Sequence, residues 1–460
     1  MGSKKNACLK FDDTKKEEIF SFCEGYKKYI SDCKTERESI KEAISLAESK
    51  GYRDLKNVIS AGKSLKAGDK VYYNNMDKSL ALFLIGSESI ESGMRIIGSH
   101  VDSPRLDLKP NPLYEDSELS LMETHYYGGV KKYQWVTIPL ALHGVVVKKD
   151  GTKIDVVVGE EETDPVVMVS DLLVHLASEQ QQKKATEVIA GEDLNILVGS
   201  MPLEGEEKEA VKANILKLLK EKYDFEEEDF MSAEIEIVPA GKARDLGLDR
   251  SMVAGYGHDD RICAYTSLLA LLETESTKKT SVVLLVDKEE VGSIGATGMQ
   301  SRFFENAVAE LMDRVGEYSE LKLRRALANS KMLSSDVTAA FDPNYAGAYE
   351  KKNSAFFGKG LAFAKYTGAR GKSGCNDANA EFVAWLRNVM DENDVAYQMA
   401  ELGKVDQGGG GTIAYILAEY GMEVIDCGVA LQNMHAPWEV ASKVDIFETM
   451  RGYKAFLMAE

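Results

Sequence analysis

Histidine occurs only six times in this 460-residue chain, at His100, His125, His143, His175, His258 and His435, so the setting of each one is legible. His100 closes the run MRIIGSH and is followed by VDSP, which puts Asp102 two residues beyond it. In an extended chain residues two apart point the same way. Asp102 can then hold one ring nitrogen of His100 while the other nitrogen binds a metal ion; a polar loop at a strand end is the plainer alternative. A second segment, SVVLLVDKEEVGS, reads as a buried strand whose carboxyl end delivers Asp287, Glu289, Glu290 and then Gly292. Adjacent carboxylates beside a buried strand are costly unless positive charge is close. With the backbone still extended, Glu289 and Glu290 would face opposite sides, one to bind a metal and the other to reach a metal-bound water. A solvated acidic turn is equally compatible with this segment taken alone.

Three further segments add donors. GYGHDDRICAYTSLLALL opens a helix with Asp259 and Asp260 near its start, KMLSSDVTAAFDPNY places Asp336 after a short apolar run, and EVIDCGVALQNMHAPWEVAS places His435 after another. Singly, these are a helix cap, a loop aspartate and a core histidine. Jointly, the five segments supply two histidines and several carboxylates, mostly where strands are expected to end, which is where open α/β sheets gather their ligands. Nitrogen and oxygen donors without thiolates suit zinc, manganese or cobalt in a catalytic site. Two histidines with four or five carboxylates exceed the needs of one tetrahedral ion and match two ions bridged by a carboxylate.

The rest of the chain must position these groups. Acidic residues outnumber basic ones by 75 to 56, giving a formal charge of −19; such a field excludes nucleic acid or anionic lipid as a partner of the whole surface, a local basic patch aside. No stretch reaches the length of a membrane span. The start, MGSKKNACLKFDDTKKEEIF, lacks the apolar core of a secretory signal. Six scattered cysteines without a CxxC pair read as reduced, mostly buried thiols of a cytosolic protein.

The first fifty residues read as helix, with Ile19, Phe20, Cys23, Tyr26 and Ile30 at spacings of three and four and a second helix ending at Gly51. Strands are expected at 71–73, 80–85 and 94–98. Residues 110–240 are β-rich, with a short helical piece around 169–182 and a charged helix over 204–230. From 241 the α/β texture returns, including a helix over 302–328. The expected fold class is α/β, a mixed sheet covered by helices, with catalytic parts 1–109 and 241–460 flanking an inserted β-rich domain, 110–240.

The five motifs GSHVDSPRLDLKP, GYGHDDRICAYTSL, DKEEVGSIGATG, SSDVTAAFDPNY and NMHAPWEVAS, in this order, make the chain resemble the M18 metalloaminopeptidases, the aspartyl aminopeptidase and aminopeptidase I group. The resemblance implies a zinc-aminopeptidase-like fold and two divalent ions per subunit, zinc first and manganese or cobalt as alternatives. His100 and Asp336 would hold one ion, Glu290 and His435 the other, and Asp259 would bridge them. Glu289 would be the general base, Asp102 would orient His100, and Asp260 would stay outside the ligands, although many relatives carry Asp-Asn at this pair. The implied reaction is removal of the N-terminal residue from short peptides with a free α-amino group, in the cytoplasm.

For the substrate side chain, Arg370 and Lys372 in ARGKSGCNDAN offer cations on a glycine-rich loop, and Lys372 matches a region where the family places a lysine near substrate; two exposed basic residues is the alternative. The Asp336 segment departs from the His-rich stretch of the acidic-substrate members. The glycines Gly408 to Gly411 precede a helix without the Lys-Ser/Thr of a phosphate loop, so close backbone approach to substrate is the expectation. In the family the inserted region forms dimers that build a tetrahedral dodecamer, and His175 would reach the neighbouring subunit's site or else pack at the dimer contact. Two other readings use the same residues: a di-zinc deacylase or carboxypeptidase, which needs an arginine for a substrate carboxylate, and an inactive shell paralogue, which predicts a lost ligand or base.

Overall fold

The protein is described by a computed structural model covering residues 5–460; Met1–Lys4, part of the segment read for a secretory signal, lie outside the described residues. Contacts divide the chain into two units: one of residues up to 102 with 243–434 and 439–460, the other of residues 103–242 with 435–438.

The first unit is built on a nine-stranded mixed sheet. Its middle holds four parallel strands, in spatial order Ser281–Val286, Arg95–His100, Lys331–Ser335 and Glu423–Gly428. All residues of Ser281–Val286 and Arg95–His100 are buried, as strands covered on both faces must be. Alternation then separates two cores. Val283, Leu285, Ile97 and Leu333 pack with the helices His258–Leu272 and Lys443–Met458, while Val282, Leu284, Ile96 and Met332 pack with Phe303–Arg314. Because the four strands run the same way, His100, Asp287 and Asp336 all fall at one edge of the sheet. A smaller five-stranded sheet of the same unit joins Arg244–Leu246, Met252–Gly255, Glu439–Ser442, Ala430–Gln432 and Thr338–Ala339.

Local chemistry sets the helix ends. Asp12 accepts the N–H of Lys15 to start Asp13–Asp32, and Thr35 with Glu38 forms a capping box for Glu36–Ser49, which stops before Gly51 at φ +85°. The helix expected over 302–328 is two helices, Phe303–Arg314 and Glu320–Ala328. Gly316 at φ +78° ends the first, and the Ser319 hydroxyl caps the second by accepting the N–H of Lys322.

The second unit is a seven-stranded antiparallel sheet whose longest strands are Arg105–Asp116, Leu119–Tyr127 and Leu140–Val147. The alternating run Ala233–Pro239 pairs with two of these. The helical piece expected around 169–182 is absent: a two-residue strand, Met168–Val169, and a 3-10 turn, Gln180–Gln182, stand there instead. Its apolar residues Leu172, Leu173, Val174 and Leu176 are all exposed, so no packed face holds a helix there. The charged helix is shorter than expected, Ala210–Tyr223, followed by a 3-10 segment at Glu227–Ser232.

Candidate metal centre

His100 is the last residue of its strand and is buried to 2% exposure. Its Nδ1 lies 3.0 Å from the backbone carbonyl of Asp102 and 3.4 Å from that residue's carboxylate. A carbonyl only accepts, so Nδ1 carries hydrogen and Nε2 is the ring's face toward any ion. Around Nε2 stand carboxylate oxygens of Asp259 at 3.2 Å, Asp336 at 3.7 Å and Glu289 at 3.9 Å. One donor atom each from His100, Asp260 and Asp336 lie within 4.8 Å of one another, and so do one each from His100, Asp259 and Glu290.

Glu289 and Glu290 do not continue an extended strand with side chains on opposite sides. They form a 3-10 turn, Glu289–Val291, entered through Lys288 at φ +68°. The turn is held by Asp102, whose two carboxylate oxygens accept the N–H of Glu289 and of Glu290, each at 3.2 Å. Asp102 thus contacts both the histidine and the glutamate pair.

So many carboxyl groups in a buried place repel ionisation. Burial, with Asp336, Asp102 and Asp259 adding to it against the opposing pull of His100, raises Glu289 to about 8. Burial also raises Asp336 and Asp260. Burial opposes the charge on His100, but Asp102, Asp259 and Asp336 outweigh it and raise that pKa well above its usual value. A divalent cation answers this excess: the donors are nitrogen and oxygen, and the fully buried Asp260 carboxylate meets only the weak Cys263 thiol donor, with no nitrogen or oxygen donor among the described residues. The residues therefore fit a zinc-type ion.

The family model described as aminopeptidase I zinc metalloprotease (M18) matches residues 29–457. The chain belongs to the M18 aminopeptidase family. A curated M18 relative, a probable M18 family aminopeptidase 1 of Clostridium acetobutylicum, is 66% identical over 98% of each chain. Among solved M18 structures, the aminopeptidase from Thermotoga maritima is similar with a TM-score of 0.94, 45% identity and 99% of both chains covered. Aminopeptidase I from C. acetobutylicum gives 0.93 and 65%, again over 99% of both. M18 membership carries the activity of a zinc aminopeptidase, a hydrolase, which favours that reading over the deacylase and the inert shell.

The other residues singled out in the sequence are placed as follows. His435, at φ +65°, belongs to the second unit by its contacts, where its Nδ1 lies 2.8 Å from the carbonyl of Gly129. Lys372 is engaged: its ammonium pairs with Asp377 at 2.8 Å and sits 3.8 Å over the ring of Tyr366. Together with Arg370 and Gly408 it lines a cavity of about 340 Å³. His175 is exposed in a turn of the second unit. Of two further buried aspartates, the sequence names Asp260 but keeps it outside the ligands, and it does not point to Asp426. Asp260 was set aside because its neighbour Asp259 took the ligand role. Asp426 lies inside the strand pattern EVIDCG, where only its polarity in an apolar run marked it; it accepts the hydroxyl of Thr412 at 2.5 Å, and burial raises it to about 7.

Proposed function

We propose that this chain is a cytosolic aminopeptidase that removes the N-terminal residue of short peptides using two divalent ions, zinc in first place, with Glu289 as general base. The observation that carries this reading is the gathering, around His100 Nε2, of carboxylates from three separate segments, those of Asp259, Glu289 and Asp336. His100 and Asp336 would hold one ion and Glu290 the other, with Asp259 between them and His435 carried over from its motif. Asp260, whose oxygens reach the same group as His100 and Asp336, stands ready to support the first ion.

When bound, such ions supply Lewis acidity: they lower the pKa of the attacking water, polarise the scissile carbonyl and receive the free α-amino group. The chain's own residues do the rest. Glu289, largely buried beside His100, takes the proton from the water and returns it to the leaving amine, so it serves as base and then as acid. Its raised pKa in the metal-free protein means that positive charge must enter before it is ready to act as a base. Asp102 fixes the turn that carries it.

Homo-oligomers, dimers assembled into a tetrahedral dodecamer, are part of the proposal. The exposed apolar run Leu172, Leu173, Val174 and Leu176 supports it, since a contiguous apolar patch favours cover by another subunit, and His175 lies within that run. Lys372 is the proposed contact for an acidic side chain, for which it must exchange Asp377 for substrate.

The test is hydrolysis of matched peptides with free and acetylated N-termini by zinc-loaded protein, alongside metal content per subunit. Cleavage of the free peptide alone with two ions bound is expected, and equal cleavage of the acetylated peptide would overturn the reading. Asp-, Glu-, Leu- and Lys-p-nitroanilides read out the side-chain preference.

A further inference from the structure

The segment Gly257–Asp260 presents two adjacent aspartates at the start of a helix. Asp259 (φ −79°, ψ 108°) and Asp260 (φ −115°, ψ 27°) are not helical, and Gly257 is left-handed at φ +72°. The first N–H groups of any helix lack partners within it. Here the N–H of Asp259 is met from the neighbouring strand of the small sheet: the Glu439 carboxylate accepts it at 3.1 Å. Glu439 begins the strand Glu439–Ser442, and its register partner Gly255 lies on the strand that leads into the aspartate turn. It is buried to 1% exposure. Two more anchors surround the turn: Arg261 donates to the carbonyls of Gly257 and Tyr256 at 3.1 and 3.2 Å, and the Tyr26 hydroxyl lies 2.5 Å from His258 Nδ1.

We infer that Glu439 is a positioning residue of the metal centre: by fixing the Asp259 backbone it aims the Asp259 carboxylate at His100 Nε2. Two observations agree. The accepted N–H belongs to the very residue whose carboxylate stands 3.2 Å from His100 Nε2. And the carboxylate comes from the strand that pairs with Met252–Gly255, so the same pairing that leads the chain into the aspartate turn brings Glu439 to it. Groups that orient ligands in this way typically affect metal affinity by about 10- to 100-fold when removed.

This inference rests on the proposed role of Asp259 as a ligand, and the experiment separates the two. Zinc affinity is measured by competition with a chromophoric chelator for the wild type and for Asp259→Ala, Glu439→Gln, Glu439→Asp and Glu439→Met, with cobalt absorption spectra of each. Gln keeps an acceptor at the same reach and should bind zinc within about threefold of wild type. Asp retracts the carboxylate by roughly one bond, about 1.5 Å, and Met removes it; both should weaken zinc by about tenfold or more and change the cobalt bands. If Met does not fold, Asp against Gln decides. Wild-type affinity and spectra for both Asp and Met would overturn the inference. Unchanged affinity in Asp259→Ala would instead remove the ligand role beneath it.

Discussion

The carboxylate of Asp102 accepts the backbone N–H of Glu290 at 3.2 Å, with its other oxygen on the N–H of Glu289 and its own backbone carbonyl on His100 Nδ1. One aspartate therefore ties the end of one central strand to the turn after its neighbour. Asp102→Asn keeps one acceptor but turns an amide NH2 toward a backbone N–H. A loss of about 10- to 100-fold in zinc affinity is expected, measured by chelator competition, with a matching fall in kcat/KM. Full affinity in Asp102→Asn would leave the turn held by other contacts.

Glu289→Gln removes a proton carrier without removing a ligand in the proposed arrangement. Two zinc ions per subunit should remain, and kcat should fall by about 10²- to 10⁴-fold, the usual weight of general acid–base catalysis. KM should change little. A variant that loses zinc as well would show that Glu289 holds an ion.

The two strands that carry this site were legible from their apolar runs, because strands buried on both faces are continuous in sequence. His100, Asp336, Glu289 and Glu290 stood out as polar residues at the ends of such runs. The turn at Glu289 was not legible, since its shape is set by Asp102, 187 residues away in the chain. Glu439 was equally hidden: its task depends on the pairing of Glu439–Ser442 with Met252–Gly255, and no local pattern announces which strands pair. The lost helix at 169–182 failed for another reason. Leu172, Leu173, Val174 and Leu176 are all exposed, so no tertiary packing is there to hold a helix.

Removal of the metal should make stability strongly pH-dependent. The Glu289 carboxyl is raised from 4.5 to about 8 in the folded metal-free protein, so the folded state keeps a proton that the unfolded chain releases. Stability from this group is full below the unfolded pKa and is lost as pH rises from about 4.5 to 8. Zinc reverses the trend, because it competes with protons for His100 and the carboxylates. The rise in Tm on adding zinc should therefore be larger at pH 8 than at pH 6. An equal rise at both would mean the cluster is already deprotonated without metal.

Asp426 offers a test at a residue outside the proposed ligand set. Its carboxyl is fully buried, accepts one hydroxyl from Thr412, and is raised from 3.8 to about 7 by burial first and by the charge of Asp336 after it. A raised carboxyl pKa binds an extra proton in the folded state, so stability falls as pH climbs between the unfolded and folded values, by at most about 1.4 kcal/mol per pH unit. Asp426→Asn keeps an oxygen to accept from Thr412 and has nothing to titrate. The metal-free variant should match wild type at pH 4 and melt several degrees higher at pH 8, followed by thermal unfolding across that range. Equal destabilisation of the variant at both ends would mean that Asp426 is ionised in the folded protein and that the Thr412 hydroxyl stabilises the charge.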